Sequence, residues 1–465
     1  MHSYGQEKSW IEHSIYTDST SAPTTSILED KRGFLWMATA GEGLIQYDGF
    51  EFNKYNKKEG LKDPFITSML EDNYGNIWLG TNNKGITKFN GKKFSGISMK
   101  EDLVSNQVTC MAIDKKEMIW VGTNKGISVI HENKVKLNFT DANGLISNQI
   151  NCLFRDSNGH IWVGTEKGIN IYQQNTFTTI GRDEGLPYQK IHFISQDNDK
   201  NIWIGAKGNG LLKLNAKSIS KGGLDFEQIG SNQGLRKTNV NFIYQLKNQN
   251  ILIGTKKNGI LTLENDSLIR NGNIKDANIK SICVDRFKNM WIGTEKGILQ
   301  HKAENSQFTP PILHLTEVKI FSNDTEIKPH SKNMNPWFKL PNSISVPFDQ
   351  NNISFQYRGI TFNNPKDIHY QYILKGFDVK WQPSTQEKEV TYKSLPPGEY
   401  TFGVNAFDIN GQWTAEPVYY HFIINPPFWK SWDALMLLLP LLGFTFYYIK
   451  KRQTKWNRPS FVISN

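Results

Sequence analysis

Apolar residues along this chain gather in short runs cut by Gly, Asn and Asp, a pattern of strands and tight turns rather than of helical stripes. One run recurs. FLWMAT, NIWLGT, MIWVGT, HIWVGT, NIWIGA, ILIGT and NMWIGT place an anchor at Trp36, Trp78, Trp120, Trp162, Trp203, Leu252 and Trp291, spaced 42, 42, 42, 41, 49 and 39 residues apart. Six residues ahead of each anchor stands Asp30, Asp72, Asp114, Asp156, Asp197, Leu246 or Asp285, preceded by an apolar run such as TSILE or TSMLE. The sixth unit has lost both members of the pair. An Asp followed by Gly33, Gly75 or Gly159 is hairpin chemistry, because the carboxylate accepts from the turn amides and Gly takes positive φ. A second turn, a third strand such as GITKFN and a fourth such as FEFNKY complete four antiparallel strands, the size of one propeller blade.

Closure sharpens the count. Aligning SILED with SMLED lays Trp10 over Phe52, so WIEHSIYT reads as a fourth strand without a blade of its own. The last unit, from Lys280 to about His301, has three strands and lacks a fourth. Residues 10–16 are therefore expected to complete blade seven and pair the edges that an open array would expose. The predicted architecture is all-β: a seven-bladed β-propeller over 10–309, with the Trp side chains packed between adjacent blades.

From about Pro310 the period breaks. ISVPF, ISFQY, HYQYIL, KEVTYKSL, EYTFGVNAFD and VYYHFII predict an Ig/fibronectin-like β-sandwich of about seven strands over 310–425. Beyond it ALMLLLPLLGFTFYYI runs uncharged from Ala434 to Ile449, flanked by Trp429, Trp432, Tyr447 and Tyr448. It would span about 24 Å as a helix, and 432–449 is expected to be a transmembrane helix that tolerates Pro440 and Gly443. KKR behind it and the nearly neutral PPFWKSWD ahead put the basic tail 450–465 in the cytoplasm and the propeller outside, in the periplasm of a single-pass inner-membrane protein.

The run YQYILKGFDVKW from Tyr370 to Trp381, then YKSLPPGEYTF from Tyr392 to Phe402, and Gly411 to Trp413 resemble the three-tyrosine domain of bacterial two-component sensors. The LxDxxGxxWxGTxxG repeat is similar to the propeller repeat of the same regulators, and the two resemblances cover about residues 10–425. They imply that the propeller senses a ligand, commonly an oligosaccharide, and that the sandwich relays its state to a membrane span. Related sensors continue into a histidine kinase, a response regulator or a DNA-binding module. Residues 450–465 hold no His and no nucleotide-binding glycine motif, so the expectation is a truncated sensor or one that pairs with a separate signalling protein. From the residues alone, Tyr370, Tyr372, Tyr392 and Tyr400 read as core or strand-face aromatics.

The formal charge of +10 raises a nucleic-acid reading, but Lys450, Lys451, Arg452, Lys455 and Arg458 supply half of the excess in the tail, and no direct nucleic-acid role is expected. Cys110, Cys152 and Cys283 lie in apolar runs without a CxxC or Cys/His cluster and read as buried free thiols. MHSYGQEKSW has neither a basic nor an apolar leader segment, so the native start is expected upstream.

Seven residues before the Asp position the blades carry Pro23, Phe65, Gln107, Gln149, Lys190, Asn239 and Asn278, with Asn106, Asn148, Gln189 and Tyr188 beside them. Amides with nearby aromatics suit sugar hydroxyls, which need paired donors and acceptors and a stacking surface. The candidate ligand-binding residues are Gln107, Gln149, Tyr188, Lys190, Asn239 and Asn278; the bland alternative is ordinary polar loop chemistry. A second set, Lys84, Lys125, Lys167, Lys207, Lys257 and Lys296, would steer an anionic glycan or simply solvate the turns. The ten histidines do not recur at one blade position, so neither a catalytic residue, a metal site nor a cofactor is expected. The reading is a membrane-associated, homodimeric sensor of a small molecule or oligosaccharide, with a propeller lyase or hydrolase, or a surface scaffold, as alternatives.

Overall fold

The computed structural model describes residues 11–13, 22–217, 223–230, 235, 238–246, 249–265, 267–270, 274, 277–303, 309–322, 325–327, 335–338, 340–341, 344–408, 414–427, 429 and 432–456. Two compact units result: Met1–Ile312 together with Ile360–Lys366, and Leu313–Gly359 together with Asp367–Asn465.

Among the described residues the first unit holds seven four-stranded antiparallel sheets, each following chain order except the last. There, Ile11–His13 forms the fourth strand, pairing Ile11 with Gln300, Glu12 with Leu299 and His13 with Ile298. Trp10 and residues 14–16, also expected in this strand, lie outside the described residues. The all-β, propeller-like organisation read from the repeat is thus observed.

Each Asp does two jobs. In blade two the Asp72 carboxylate accepts from the Tyr74 and Asn76 amides at 3.0 and 2.8 Å, the turn chemistry read from the sequence, and also from the Trp78 indole at 2.8 Å. The same indole-to-carboxylate bond joins Trp36 to Asp30, Trp120 to Asp114, Trp162 to Asp156, Trp203 to Asp197 and Trp291 to Asp285. That bond explains the double loss in blade six: either partner alone would leave a buried polar group unpaired, whereas Leu246 with Leu252 leaves none.

Every inner strand carries a register shift at its second residue, at Thr25, Thr67, Thr109, Asn151, His192, Asn241 and Lys280. A bulge re-aims the side chain it displaces. Here it aims the side chain at the next blade: Thr25, Thr67, Thr109, Asn151 and Asn241 donate to the carbonyls of Ile66, Val108, Ile150, Ile191 and Ile279 at 2.7 to 2.9 Å. At the opposite end of the sheets the amide of Lys31 donates to Glu71 at 3.0 Å and that of Asn198 to Gln245 at 2.7 Å. Arg286 of the last sheet makes the same contact with Glu29 of the first at 2.8 Å. The repeat glycine permits this closeness, since a Cβ on Gly122 would lie 2.7 Å from Cγ2 of Ile150 in the next blade. Cys110, Cys152 and Cys283 are free, and burial pushes the Cys110 and Cys283 thiols up to about 12.

The second unit stacks two four-stranded sheets, with Ile312–Ser322, Thr325–Ile327, Asn352–Ile360 and Glu389–Tyr392 in one, and Ile344–Val346, Val418–Ile424, Gly398–Asp408 and Ile368–Lys375 in the other. Its core is aromatic: Phe355 stacks on Phe402 at 4.0 Å, and Phe422 packs beside them. Tyr370, Tyr392 and Tyr400 are buried, and their hydroxyls meet the Gly359 amide, Asp378 and the Pro396 carbonyl at 2.7 to 3.0 Å, which is the core role expected of them. Gly411 to Trp413 lie outside the described residues. The C-terminal element is a helix, Trp432–Trp456, whose Leu439, Leu441, Leu442, Phe444 and Phe446 are exposed. Among the described residues no helix is long and apolar enough to cross a membrane. The uncharged stretch 434–449 is bounded by Asp433 and Lys450 and contains Pro440.

Candidate functional site

The residue ahead of each inner strand offers its carbonyl to the amide that follows the second strand. Ala40 donates to Pro23, Asn82 to Phe65, Asn124 to Gln107, Glu166 to Gln149, Lys207 to Lys190 and Lys256 to Asn239, at 2.8 to 3.3 Å. The start of each inner strand and the turn after each second strand therefore share one end of the sheet, the end the candidate residues were expected to occupy. The lysines of those turns, Lys84, Lys125, Lys167, Lys207, Lys257 and Lys296, are all exposed.

The six candidates differ in what they have left to offer. Gln107 and Gln149 are exposed. The Gln107 side-chain oxygen accepts from Asn124 Nδ2 at 2.7 Å. Asn239 is half-buried, its Oδ1 held by the Gly208 amide at 2.6 Å. Asn278 is buried between Asn241 and Glu295, with Asn241 Nδ2 3.3 Å from its Oδ1 and its own Nδ2 donating to the Glu295 carboxylate. Tyr188 packs on the hydrophobic cluster of Trp162, Leu186, Ile191 and Leu212, and its hydroxyl accepts from Gln228 Nε2 of the outer strand at 2.8 Å. Asn239 and Asn278 thus hold neighbouring blades and turns together, while Gln107, Gln149 and Lys190 present exposed polar heads.

Lys190 belongs to a cluster that the sequence reading did not assemble. Its ammonium lies 3.2 Å from the carboxylate of Glu166, which also accepts from Asn151 Nδ2 at 3.2 Å. Burial raises the Glu166 pKa, but hydrogen bonds from Lys190 and Asn151 and the charges of Lys190 and Lys207 outweigh it, leaving the carboxyl below its ordinary value. His192 occupies the bulge position that carries Thr in blades one to three, Asn in blades four and six and Lys280 in blade seven, and its Nε2 is buried without a hydrogen-bond partner. Burial, reinforced by the charge of Lys207 and opposed by Glu166, holds the imidazole below its ordinary value, so it is neutral at pH 7. The signal was legible only as a break in the series Thr25, Thr67, Thr109, Asn151, Asn241, once the bulge is known to matter. This end of blades four to six thus offers ammonium groups, a carboxylate and amides to a polar ligand. Among the described residues no group of three or more His, Cys, Asp or Glu is arranged to hold a metal ion.

Comparison with known proteins gives this architecture a class. Residues 60–83, 102–125, 144–167 and 273–296 match the two component regulator propeller family, and residues 361–425 match the Y_Y_Y domain family. The chain thus carries repeats of the two component regulator propeller type and a Y_Y_Y domain. It is 24% identical to Histidine kinase P4 of Formosa agariphila over 38% of this chain and 16% of that protein. In structure it is similar to the extracellular domain of a protein of B. thetaiotaomicron described as a one-component system (TM-score 0.55, 20% identical, 91% of this chain and 60% of that chain). It is also similar to that of a hybrid two-component system of the same organism (TM-score 0.52, 24% identical, 88% and 56%). The propeller fold is shared with an inactive variant of virginiamycin B lyase from Staphylococcus aureus, solved with quinupristin (TM-score 0.50, 14% identical, 61% and 96%). This chain spans about three-fifths of the length of the first two structures and about one-sixth of the kinase.

Proposed function

We propose that the chain is the extracytoplasmic ligand-sensing part of a two-component signalling sensor, that its seven sheets are the blades of one closed ring, and that its ligand is an oligosaccharide taken at the loop end of the propeller. The observation that carries the reading is the presence of regulator propeller repeats and a Y_Y_Y domain in one chain. Exposed Gln107, Gln149, Lys190 and Lys207, with Glu166 between two of the lysines, supply paired donors and acceptors for hydroxyls and charge for an acidic sugar. The exposed apolar side chains of Trp432–Trp456 support attachment to a membrane, and a homodimer would pair two such helices. Signal output then depends on a separate or attached transmitter, and the ligand biases it only through its difference in affinity between two arrangements.

The test is titration calorimetry of the purified chain against a panel of neutral and uronate-containing oligosaccharides, repeated with Gln107→Ala, Gln149→Ala and Lys190→Ala. Saturable binding weakened by these substitutions is the expected result. A glycan bound equally well by all three variants would move the site elsewhere. Turnover of any glycan would favour the lyase or hydrolase reading that the shared fold suggests.

A further inference from the structure

In three blades the anchor indole packs on an aromatic residue of the next blade, the third-strand residue that faces the position just before the next anchor. Trp36 meets Phe89 at 6.0 Å, Trp120 meets Tyr172 at 4.7 Å and Trp291 meets Tyr47 at 5.9 Å. Phe89, Tyr172 and Tyr47 face Ile77, Ile161 and Leu35 in the strand register. Between blades two and three the same position, facing Ile119, is Ile130. A groove of about 430 Å³ opens there, lined by Tyr74, Trp78, Lys88, Glu117, Ile130 and Glu132, among others. It opens at the turn end of the sheets, away from the candidate ligand site.

The equivalent groove between blades seven and one shows what such a place takes. Phe362, on the segment Ile360–Lys366 that packs with the first unit, inserts there. Its ring lies 5.4 Å from Trp291, stacks on Tyr47 at 5.6 Å and meets the edge of Phe287 at 5.8 Å. Gln300, which faces Trp291 across the strands, donates its Nε2 to the Phe362 carbonyl at 3.3 Å. Two elements of that socket have counterparts in the open groove, while Ile130 and Glu132 stand where Tyr47 and Gly49 meet the inserted segment. Tyr74 stands two residues after Asp72 as Phe287 stands two after Asp285, and Lys88 faces Trp78 as Gln300 faces Trp291. Tyr74 is 82% exposed, an aromatic ring left in water at the groove's edge. The position of Lys88 lets its ammonium replace the Gln300 amide as donor to a main-chain carbonyl; at present it lies over the Trp78 ring and donates to Asn133 Oδ1 at 3.1 Å.

We propose that the groove between blades two and three is a docking site for a partner polypeptide that presents an aromatic side chain beside a basic residue. The aromatic side chain enters between Trp78, Tyr74 and Ile130, as Phe362 does between Trp291, Phe287 and Tyr47. The exposed carboxylates of Glu117 and Glu132 at the mouth select a basic neighbour, a pairing that the chain's own segment Ile-Thr-Phe-Asn-Asn-Pro-Lys already displays. This goes beyond ligand sensing: the site is a second, protein-facing surface on the opposite end of the sheets.

The probe is a fluorescein-labelled peptide GITFNNPKD, the chain's own sequence from Gly359 to Asp367, titrated into the full chain by anisotropy. Saturable binding is expected, weakened about tenfold or more when the peptide's Phe is Ala and by a similar factor in Tyr74→Ala, which removes the ring that stands where Phe287 meets Phe362. Because the Tyr74 ring is 82% exposed, Tyr74→Ala is compatible with the fold, and its circular dichroism and melting curve should match the native chain. Glu132→Lys should weaken binding several-fold at low salt and less at high salt. Failure of the peptide to bind saturably, binding by Tyr74→Ala within twofold of the native chain, or equal binding of the Ala peptide would each overturn the proposal.

Discussion

Replacing Asp156 and Trp162 by leucine, singly and together, tests whether the repeat is held by a coupled pair or by two independent residues. The Asp156 carboxylate accepts from the His160 amide at 2.9 Å and the Trp162 indole at 3.0 Å, and His160 Nδ1 lies 3.0 Å away. Asp156→Leu strips the turn of its acceptor and leaves a buried indole N–H unpaired, for a loss of about 3–5 kcal/mol. Trp162→Leu leaves the carboxylate short of a donor and opens space among Ile194, Ile204 and Leu212, for a loss of about 2–4 kcal/mol. In the double variant neither orphan exists, as in blade six with Leu246 and Leu252, so the combined loss should fall short of the sum by about 1.5–3 kcal/mol. Urea unfolding of the four proteins, followed by far-UV circular dichroism and tryptophan fluorescence with coincident transitions required, measures the coupling. Additivity within about 0.5 kcal/mol would refute the argument that the pair was lost together for want of a partner.

Other outcomes follow from the same geometry. His192→Asn should restore the bridge that Asn151 and Asn241 make, here to the Val240 carbonyl, adding about 1 kcal/mol in a urea titration; a loss of stability would mean the imidazole has a role the amide cannot fill. Gly122→Ala should cost about 1–3 kcal/mol, because its Cβ would press on Ile150 of the next blade, and an unchanged melting temperature would contradict that close approach. Burial, against the opposing charge of Arg286, lifts the Glu29 carboxyl above its ordinary 4.5. The folded chain therefore keeps a proton that the unfolded chain releases, and this group's contribution to stability falls as pH rises from about 4.5 through the raised value. Glu29→Gln should flatten that decline in melting curves taken across the window, and an unaltered slope would speak against it.

The blades were legible in the sequence because their marks are periodic. A Trp meets the next blade, an Asp caps the hairpin and a Gly lets the next inner strand approach, and each recurs in six of the seven units. The short strand at Ile11–His13 was legible for a related reason, since a three-strand unit at one end of a ring requires a donor at the other. The reason for the joint loss at Leu246 and Leu252 was not, because a hydrogen bond between residues six apart leaves no mark beyond their co-occurrence. Ile312–Ser322 was not singled out as a strand, because its HLTEVK stretch mixes charges into a run that pairs along one edge only at its far end with Thr325–Ile327. Nothing in ITFNNPK shows that Phe362 belongs with Trp291 rather than with the sandwich strands on either side of it. Of the candidate site, the amide positions were found from the repeat. Glu166 and His192 were missed because the turn and the bulge that bring them to Lys190 come from different blades.

The central claim, that a ligand is sensed at the loop end of the propeller, is tested most directly by hydrogen–deuterium exchange on the full chain with and without a glycan found by calorimetry. The account predicts slowed exchange in peptides covering Gln149–Asn151, Glu166–Gly168, Lys190–His192 and Lys207–Gly208. Protection confined to the turn-end loops around Tyr74 and Glu132, or to residues outside the propeller, would contradict it.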